Sequence, residues 1–215
     1  MAISKVGTAS NTASSASSVS ISYTATSGNL LFVVAMGVIG GFPAVSDGVN
    51  TYTLLTSANF DYQVWYAKNV TGGALTIVCS GGTAAWAAQV IEYSGASTSS
   101  PIASAVAAGS SSTATAAAAS LSDYVVGFAA IGNSSAGTLP TITVPTFTSS
   151  LGVQYNETTV AINGSSNTAA VGISHGPIAG LNTESFSTTD GAYTIRQHFC
   201  ALVLVGSQRG LLDFT

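Results

Sequence analysis

The sequence predicts an all-β protein, an antiparallel two-sheet sandwich of jelly-roll-like form, and three observations carry that reading. Apolar and polar residues alternate at period two in several short segments, the pattern of half-buried strands. Helix signals are nearly absent: no window places apolar residues at i, i+3, i+4 and i+7 behind a cap. The run Ala116 to Ala119 has helix propensity, but Thr and Ser surround it. The chain also reads itself out twice, Ile3 to Gly95 and Ile102 to Gly206 carrying the same succession of strand and turn signals. Self-similarity of this kind bears on architecture before any local feature does.

In the first unit, strands are predicted over 3–8, 18–26, 29–38, 51–57, 62–68, 74–80 and 84–94. A Ser/Thr/Ala-rich stretch (Gly7 to Ser18) opens the unit. Val19-Ser20-Ile21-Ser22-Tyr23-Thr24 then alternates cleanly, so one face is buried and one wet. Leu30 to Ala35 is continuously apolar, which suits a strand covered on both faces. Leu75 to Cys79 alternates again, and Ala87 to Gly95 closes the unit on a long apolar strand. In the second unit the predicted strands are 101–108, 112–119, 122–131, 146–155, 168–175, 183–188 and 193–205. Tyr124 to Ala129 corresponds to the apolar strand of the first unit, Thr141 to Val144 alternates, and Ala201 to Val205 is again continuously apolar. Ser27-Gly28-Asn29, Ser46-Asp47-Gly48, Thr71-Gly72-Gly73, Ser80-Gly81-Gly82, Asn163-Gly164-Ser165 and Asp190-Gly191 supply the turns.

The short connection Ser97 to Pro101 serves either a linker or a loop. The doubly apolar strands favour one sandwich over residues 1–206, built from two pseudo-repeats (about 3–95 and 102–206), with 207–215 as a tail outside the repeat.

Composition narrows the function. Of 215 residues 47% are hydrophobic and only 6% charged, against roughly 25% charged in an average soluble protein. Ser, Thr, Gly and Asn supply the polarity, and so little charge weakens the usual guard against association. Four Lys/Arg against eight Asp/Glu leave a net charge of −4. No basic patch exists to neutralise phosphates, which excludes nucleic-acid binding and the polybasic route to membranes. The longest apolar run, Leu30 to Ile39, is far short of the roughly 20 residues that cross a bilayer. Met1 to Lys5 lacks an apolar signal core, so synthesis in a cytoplasm without a cleavable signal is expected. Cys79 and Cys200 lie in apolar strands and read as buried free thiols.

No catalytic, cofactor or metal residue is expected. Arg196, His198 and Cys200 share a strand face, but two ligands on one strand do not make a zinc site. His175 precedes Gly176-Pro177 without an acidic neighbour, and although Gly172-Ile173-Ser174-His175-Gly176 has the Gly-x-Ser-x-Gly spacing, no helix signal follows it as a nucleophile elbow requires. Asp47, Asp61, Glu92, Asp123, Glu157, Glu184, Asp190 and Asp213 are mostly turn residues. Asp47 to Thr51 reads as a hairpin turn rather than a calcium loop. Glu92 alone lies inside an apolar strand, either as a buried acid or, as expected here, as a strand-end carboxylate facing solvent or a neighbour. Phe60, Tyr62, Trp65 and Tyr66 form the one aromatic cluster, and alternation splits Trp65 from Tyr62 and Tyr66. They pack in the core, or an outward set stacks on a sugar or anchors a protein. The sequons at Asn69, Asn133, Asn156 and Asn163 are chance products of a Ser/Thr-rich chain. Leu211, Leu212 and Phe214 make the tail apolar, so it folds back or docks on a neighbour.

The words Gly28 to Ala35, Val64-Trp65-Tyr66-Ala67-Lys68, and Glu92-Tyr93-Ser94-Gly95 followed by Pro101-Ile102 resemble a widespread, poorly characterised group of Ser/Thr/Gly-rich β-sandwich proteins of bacteria and phages. The resemblance spans about Val19 to Gly206 and rests on structural motifs, with no active-site residues to carry over. It implies a virion-surface role such as capsid decoration or a fibre, with capsid proteins and copies of itself as partners. A carbohydrate-binding or adhesion module that recognises host glycans is the alternative.

Overall fold

The computed structural model describes the backbone over residues 3–38, 44–59, 62–108, 113–118, 124–133, 146–149, 155–156, 160–163, 168–176, 182–187 and 198–204. Every regular element among them is a β-strand, and every pairing is antiparallel. The first half contributes β1 (Ser4–Ala25), β2 (Leu30–Val38), β3 (Ala44–Ser46), β4 (Thr53–Asn59), β5 (Tyr62–Ala67) and β6 (Gly73–Ser94). The second contributes β7 (Ile102–Ala108), β8 (Thr113–Ala118), β9 (Tyr124–Asn133), β10 (Thr146–Ser149), β11 (Tyr155–Asn156), β12 (Val160–Asn163), β13 (Thr168–Gly176), β14 (Asn182–Ser187) and β15 (His198–Leu204).

β1 and β6 dominate the first half. Each runs 22 residues, and they pair along their whole length from Ser4↔Ser94 to Ala25↔Gly73. Two corrections to the expected elements follow. The Ser/Thr/Ala stretch that separates 3–8 from 18–26 is itself strand, because Ala84 to Ser94 offers it a ladder. Likewise Ser80-Gly81-Gly82 does not turn but continues β6, opposite register shifts between Ala13 and Ser18 where Ser15 takes a φ of 52°. Bulges of this kind bend a ribbon sharply. Here the ribbon folds back on itself: Asn11 bonds the Ser20 carbonyl, Tyr23 reaches Glu92, and the Trp86 indole N–H bonds the Ala16 carbonyl at 2.7 Å.

The fold-back covers one face of the central sheet, whose strand order is β1-β6-β2-β5-β4, with β3 also paired to β6. Val19, Ile21, Leu75, Ile77 and Cys79 from the outer ribbon pack on Leu31, Val33, Ala35, Trp86 and Val90. The opposite face carries Leu30, Phe32, Val34, Met36, Ile91 and Tyr93, and meets Val126, Phe128, Ala169, Val171 and Ile173 from the second half. Phe32 and Phe128 touch at its centre, their ring centroids 5.3 Å apart. Leu30 to Met36 are consequently all at most 1% exposed, as their unbroken apolar run predicts. At about 1.5–3 kcal/mol per large buried apolar side chain, β2 contributes on the order of 10 kcal/mol gross. That is comparable with the net stability of a whole domain, so both covers are needed. Packing around β2 is close enough that Gly37 is required: a Cβ there would lie 2.8 Å from the Trp86 ring.

In the second half the orders are β7-β15-β9-β13, flanked by β11 and β12 on β13, and separately β10-β14-β8. The first half runs β1-β6-β2-β5 in its central sheet and β3-β6-β1 in its outer ribbon. The succession of opening, closing and apolar strands is therefore the same in both. The expected strands 101–108, 112–119, 122–131, 168–175, 183–188 and 193–205 correspond to β7, β8, β9, β13, β14 and β15, whereas β3 and β12 were unforeseen. Within 146–155 only the ends, β10 and the start of β11, are described as strand. Thr141 to Val144, the turns at Gly164 and Asp190, and the tail 207–215 lie outside the described residues. Among the described residues no helix is long and apolar enough to cross a membrane.

Candidate functional site

Glu92 is the one place where chemistry-bearing groups converge in the described core. It stands on β6, opposite Gly7 of β1 and Leu31 of β2, and is 0% exposed. The expectation of an outward strand-end carboxylate is corrected: the folded-back ribbon seals this end of the sheet. Its Oε2 accepts the Tyr23 hydroxyl at 2.7 Å. Its Oε1 accepts the Thr26 amide at 2.9 Å and the Asn29 Nδ2 at 2.6 Å.

Each partner is positioned for a local reason. Tyr23 belongs to the alternating segment of β1, and its ring lies over Gly7, where a Cβ would come within 2.8 Å of the phenol oxygen. Thr26 to Asn29 form a β-turn closed by Asn29 N–H to the Thr26 carbonyl at 3.3 Å. Gly28 in that turn has φ 86°, the left-handed value its third position favours. The Gly28 amide and the Asn29 carbonyl in turn bond Val70 at 2.9 and 3.1 Å. Burial raises the Tyr23 phenol well above its ordinary pKa, and the hydrogen bond to Glu92 and its negative charge raise it further. Tyr23 therefore stays a donor. With three protein donors on a fully buried carboxylate, the arrangement acts as a clasp that ties outer ribbon, turn and central sheet together.

A second acid does similar work at the surface. The Asp47 Oδ1 accepts the amides of Val49 (2.9 Å) and Asn50 (2.7 Å), and its Oδ2 accepts Asn50 Nδ2 (2.7 Å) and the Tyr52 hydroxyl (3.0 Å). Asn50 Oδ1 then accepts the Thr71 amide at 2.7 Å. Burial by itself would raise the Asp47 carboxyl, but the bonds from Asn50, Val49 and Tyr52 outweigh it and hold the group below its usual range. The segment is an Asx turn with a tyrosine latch, but the expected hairpin is corrected: β3 pairs β6 and β4 pairs β5, so the turn joins two strands that are not partners.

The aromatic cluster divides. Trp65 is half-buried against the outer-ribbon core and donates its indole N–H to Gln63 Oε1 at 3.2 Å. Tyr66 is half-buried on the opposite face, tilted against Phe32 with centroids 6.4 Å apart. The two do not share one platform. Phe60 and the Tyr62 side chain lie outside the described residues, as do Leu211, Leu212 and Phe214.

Cys79 is a free buried thiol, its pKa pushed up to about 12 by burial. His175 is 3% exposed and meets the Tyr93 ring edge-on at 5.6 Å. Arg196 and the side chains of His198 and Cys200 lie outside the described residues. Among the described residues no three His, Cys, Asp or Glu side chains converge on one point. Sequence reasoning marked Glu92 as odd but missed Tyr23, Asn29 and Gly7. The Gly28-Asn29 turn beside the apolar strand was the available signal. Comparison with protein-family models, curated proteins and solved structures gave no match to this chain.

Proposed function

We propose that the protein is a non-enzymatic structural component of a phage virion, a capsid-decoration or cement protein acting through protein–protein contacts. Its two halves are read as related units that together form one jelly-roll-like sandwich. The observation that carries the reading is the common strand order of the halves, β1-β6-β2-β5 and β7-β15-β9-β13. What recurs is scaffold. The placement of the acids agrees, since Glu92 and Asp47 are engaged by protein donors in structural roles. A neutral, hydroxyl-rich composition with 6% charged residues suits life packed against other subunits, and the resemblance of the Gly28–Ala35 and Val64–Lys68 words to the phage and bacterial β-sandwich group points to the virion surface.

The test is association with particles. The protein is expected to co-purify with virions and to appear as added density on them by electron microscopy. A strictly monomeric protein that never accompanies particles would sink the proposal. Glycan-array binding that disappears in Trp65→Ala, with the fold intact, would turn the reading to carbohydrate recognition.

A further inference from the structure

We propose that Asp47-Gly48 is a site of spontaneous backbone isomerisation to isoaspartate, and that the hydrogen bonds of Asn50 and Tyr52 to the Asp47 side chain form a latch that holds the reaction back. The modification is independent of the virion reading, since it rests on one turn and its bonds.

The chemistry needs the chain and water alone. The Gly48 backbone nitrogen attacks Cγ of Asp47. The N–Cγ bond forms, the nitrogen gives up its proton, and one carboxyl oxygen leaves as water. The product is a cyclic succinimide that shares its nitrogen between Cγ and the main-chain carbonyl carbon of Asp47. Water that opens the ring at Cγ restores aspartate. Water that opens it at the main-chain carbon breaks that C–N bond and leaves Gly48 joined through Cγ. Nothing is oxidised or reduced, and the mass is unchanged.

Gly48 favours the attack. It carries no Cβ to obstruct its own nitrogen, and it is exposed, with φ 76° and nothing within 4 Å of where a Cβ would lie. The bond from its amide to Ser46 Oγ is long, at 3.2 Å.

The Asp47 side chain opposes it. Oxygen leaves as water from the protonated carboxyl, and hydrogen bonds to a carboxylate favour the ionised form. Burial by itself would raise this group, yet Asn50, Val49 and Tyr52 keep it below its usual range. The same bonds fix its direction. Oδ1 is turned to the amides of Val49 and Asn50 at 2.9 and 2.7 Å, and Oδ2 to Asn50 Nδ2 and the Tyr52 hydroxyl at 2.7 and 3.0 Å. The carboxylate is thus committed to groups two to five residues ahead and cannot turn freely onto the next nitrogen. One isomerisation dismantles the latch, because the carboxylate then sits directly on Cα and the main chain gains a methylene. Asn50 loses the partner that orients it toward the Thr71 amide at 2.7 Å. Tyr52 loses its anchor beside the outer-ribbon core.

Peptide mapping that separates aspartyl from isoaspartyl forms tests this on the full folded chain, aged at neutral pH. The peptide holding Asp47 is read by itself, because Asp190-Gly191 and Asn163-Gly164 also lead to isoaspartate. Tyr52→Phe removes one donor and should raise the rate at Asp47 about fivefold. Asn50→Ala removes the Nδ2 donor together with the tie to Thr71 and should raise it about tenfold. Tyr52→Phe covers the case where Asn50→Ala does not fold. Gly37→Ala strains the core at Trp86 and leaves the turn intact, so its rate should stay within about twofold of wild type. The urea midpoint of each variant is read alongside. If Tyr52→Phe isomerises no faster than wild type, or Gly37→Ala isomerises as fast as Tyr52→Phe, the proposal is overturned.

Discussion

Replacing Glu92 by Gln keeps the shape of the clasp and removes its charge. A glutamine has one acceptor oxygen where the carboxylate has two. Its better orientation places that oxygen toward the Thr26 amide and Asn29 Nδ2, which cannot accept, and turns the amide NH₂ toward the Tyr23 hydroxyl, which can rotate and accept. All three contacts then survive in neutral form. Hydrogen bonds to a charged group contribute roughly 1.5–3 kcal/mol and neutral ones about 0.5–1.5, so about 1 kcal/mol is lost per contact. Relief of the buried charge returns part of the resulting sum of about 3 kcal/mol. The expected loss is about 2 kcal/mol, or about 4–8 °C in Tm for a chain of this size. Tyr23→Phe leaves Oε2 without its donor and should cost about 1–3 kcal/mol. Combined, the two changes should cost less than their sum, with a coupling of about 1 kcal/mol. Urea unfolding followed by tryptophan fluorescence measures all four corners of the cycle. Additive effects, or a Glu92→Gln loss below about 0.5 kcal/mol, would refute the clasp. Linkage gives an independent check. The Tyr23 phenol is raised above its unfolded value of 10.0, so its contribution is full below pH 10 and declines as pH rises above it. Tyr23→Phe should remove that part of the alkaline decline and leave the part that comes from Tyr52 and Cys79, which burial also raises.

Three further outcomes are expected. Gly37→Ala drives a methyl to 2.8 Å from the Trp86 ring and should destabilise by about 1–3 kcal/mol, seen as a lower urea midpoint. Cys79, with its thiol pushed up to about 12, should resist iodoacetamide in the native protein at pH 8 and react fully after unfolding, as peptide mapping would show. Asp47, held below its ordinary value, contributes stability that is present above the unfolded carboxyl range near pH 4 and lost as pH falls through the folded value. Asp47→Asn should therefore flatten the acid limb of the stability profile, by a modest amount since the group is partly solvated.

The two faces of β2 were legible because an unbroken apolar run has no wet side to offer. The turns at Gly28 and Asp47 were legible because their residues satisfy local conformational needs. The extent of β1 was not. Ser, Thr and Ala without period commit to no element, and the ladder that makes them a strand comes from residues some 70 to 90 positions away. Gly81-Gly82 misled for the same reason, since glycine marks either a turn or a bend inside a strand and only the partner decides. Glu92 stood out in its apolar strand, but its donors lie 63 to 69 residues earlier. Nothing local distinguished an acid at an open strand end from one sealed beneath a returning ribbon.

The pairing of β1 with β6 also sets an order of events during synthesis. Ser4 is made first, yet its partner Ser94 follows 90 residues later. At roughly 5–20 residues per second, β1 waits several seconds as free chain before its ladder can form. Non-local pairing of this kind is slow even in a complete chain. A strand that must wait gains from residues that neither collapse nor stick. The Ser, Thr and Asn of Thr8 to Ser18 keep it hydrated until Trp86 and its neighbours arrive to hold it in place.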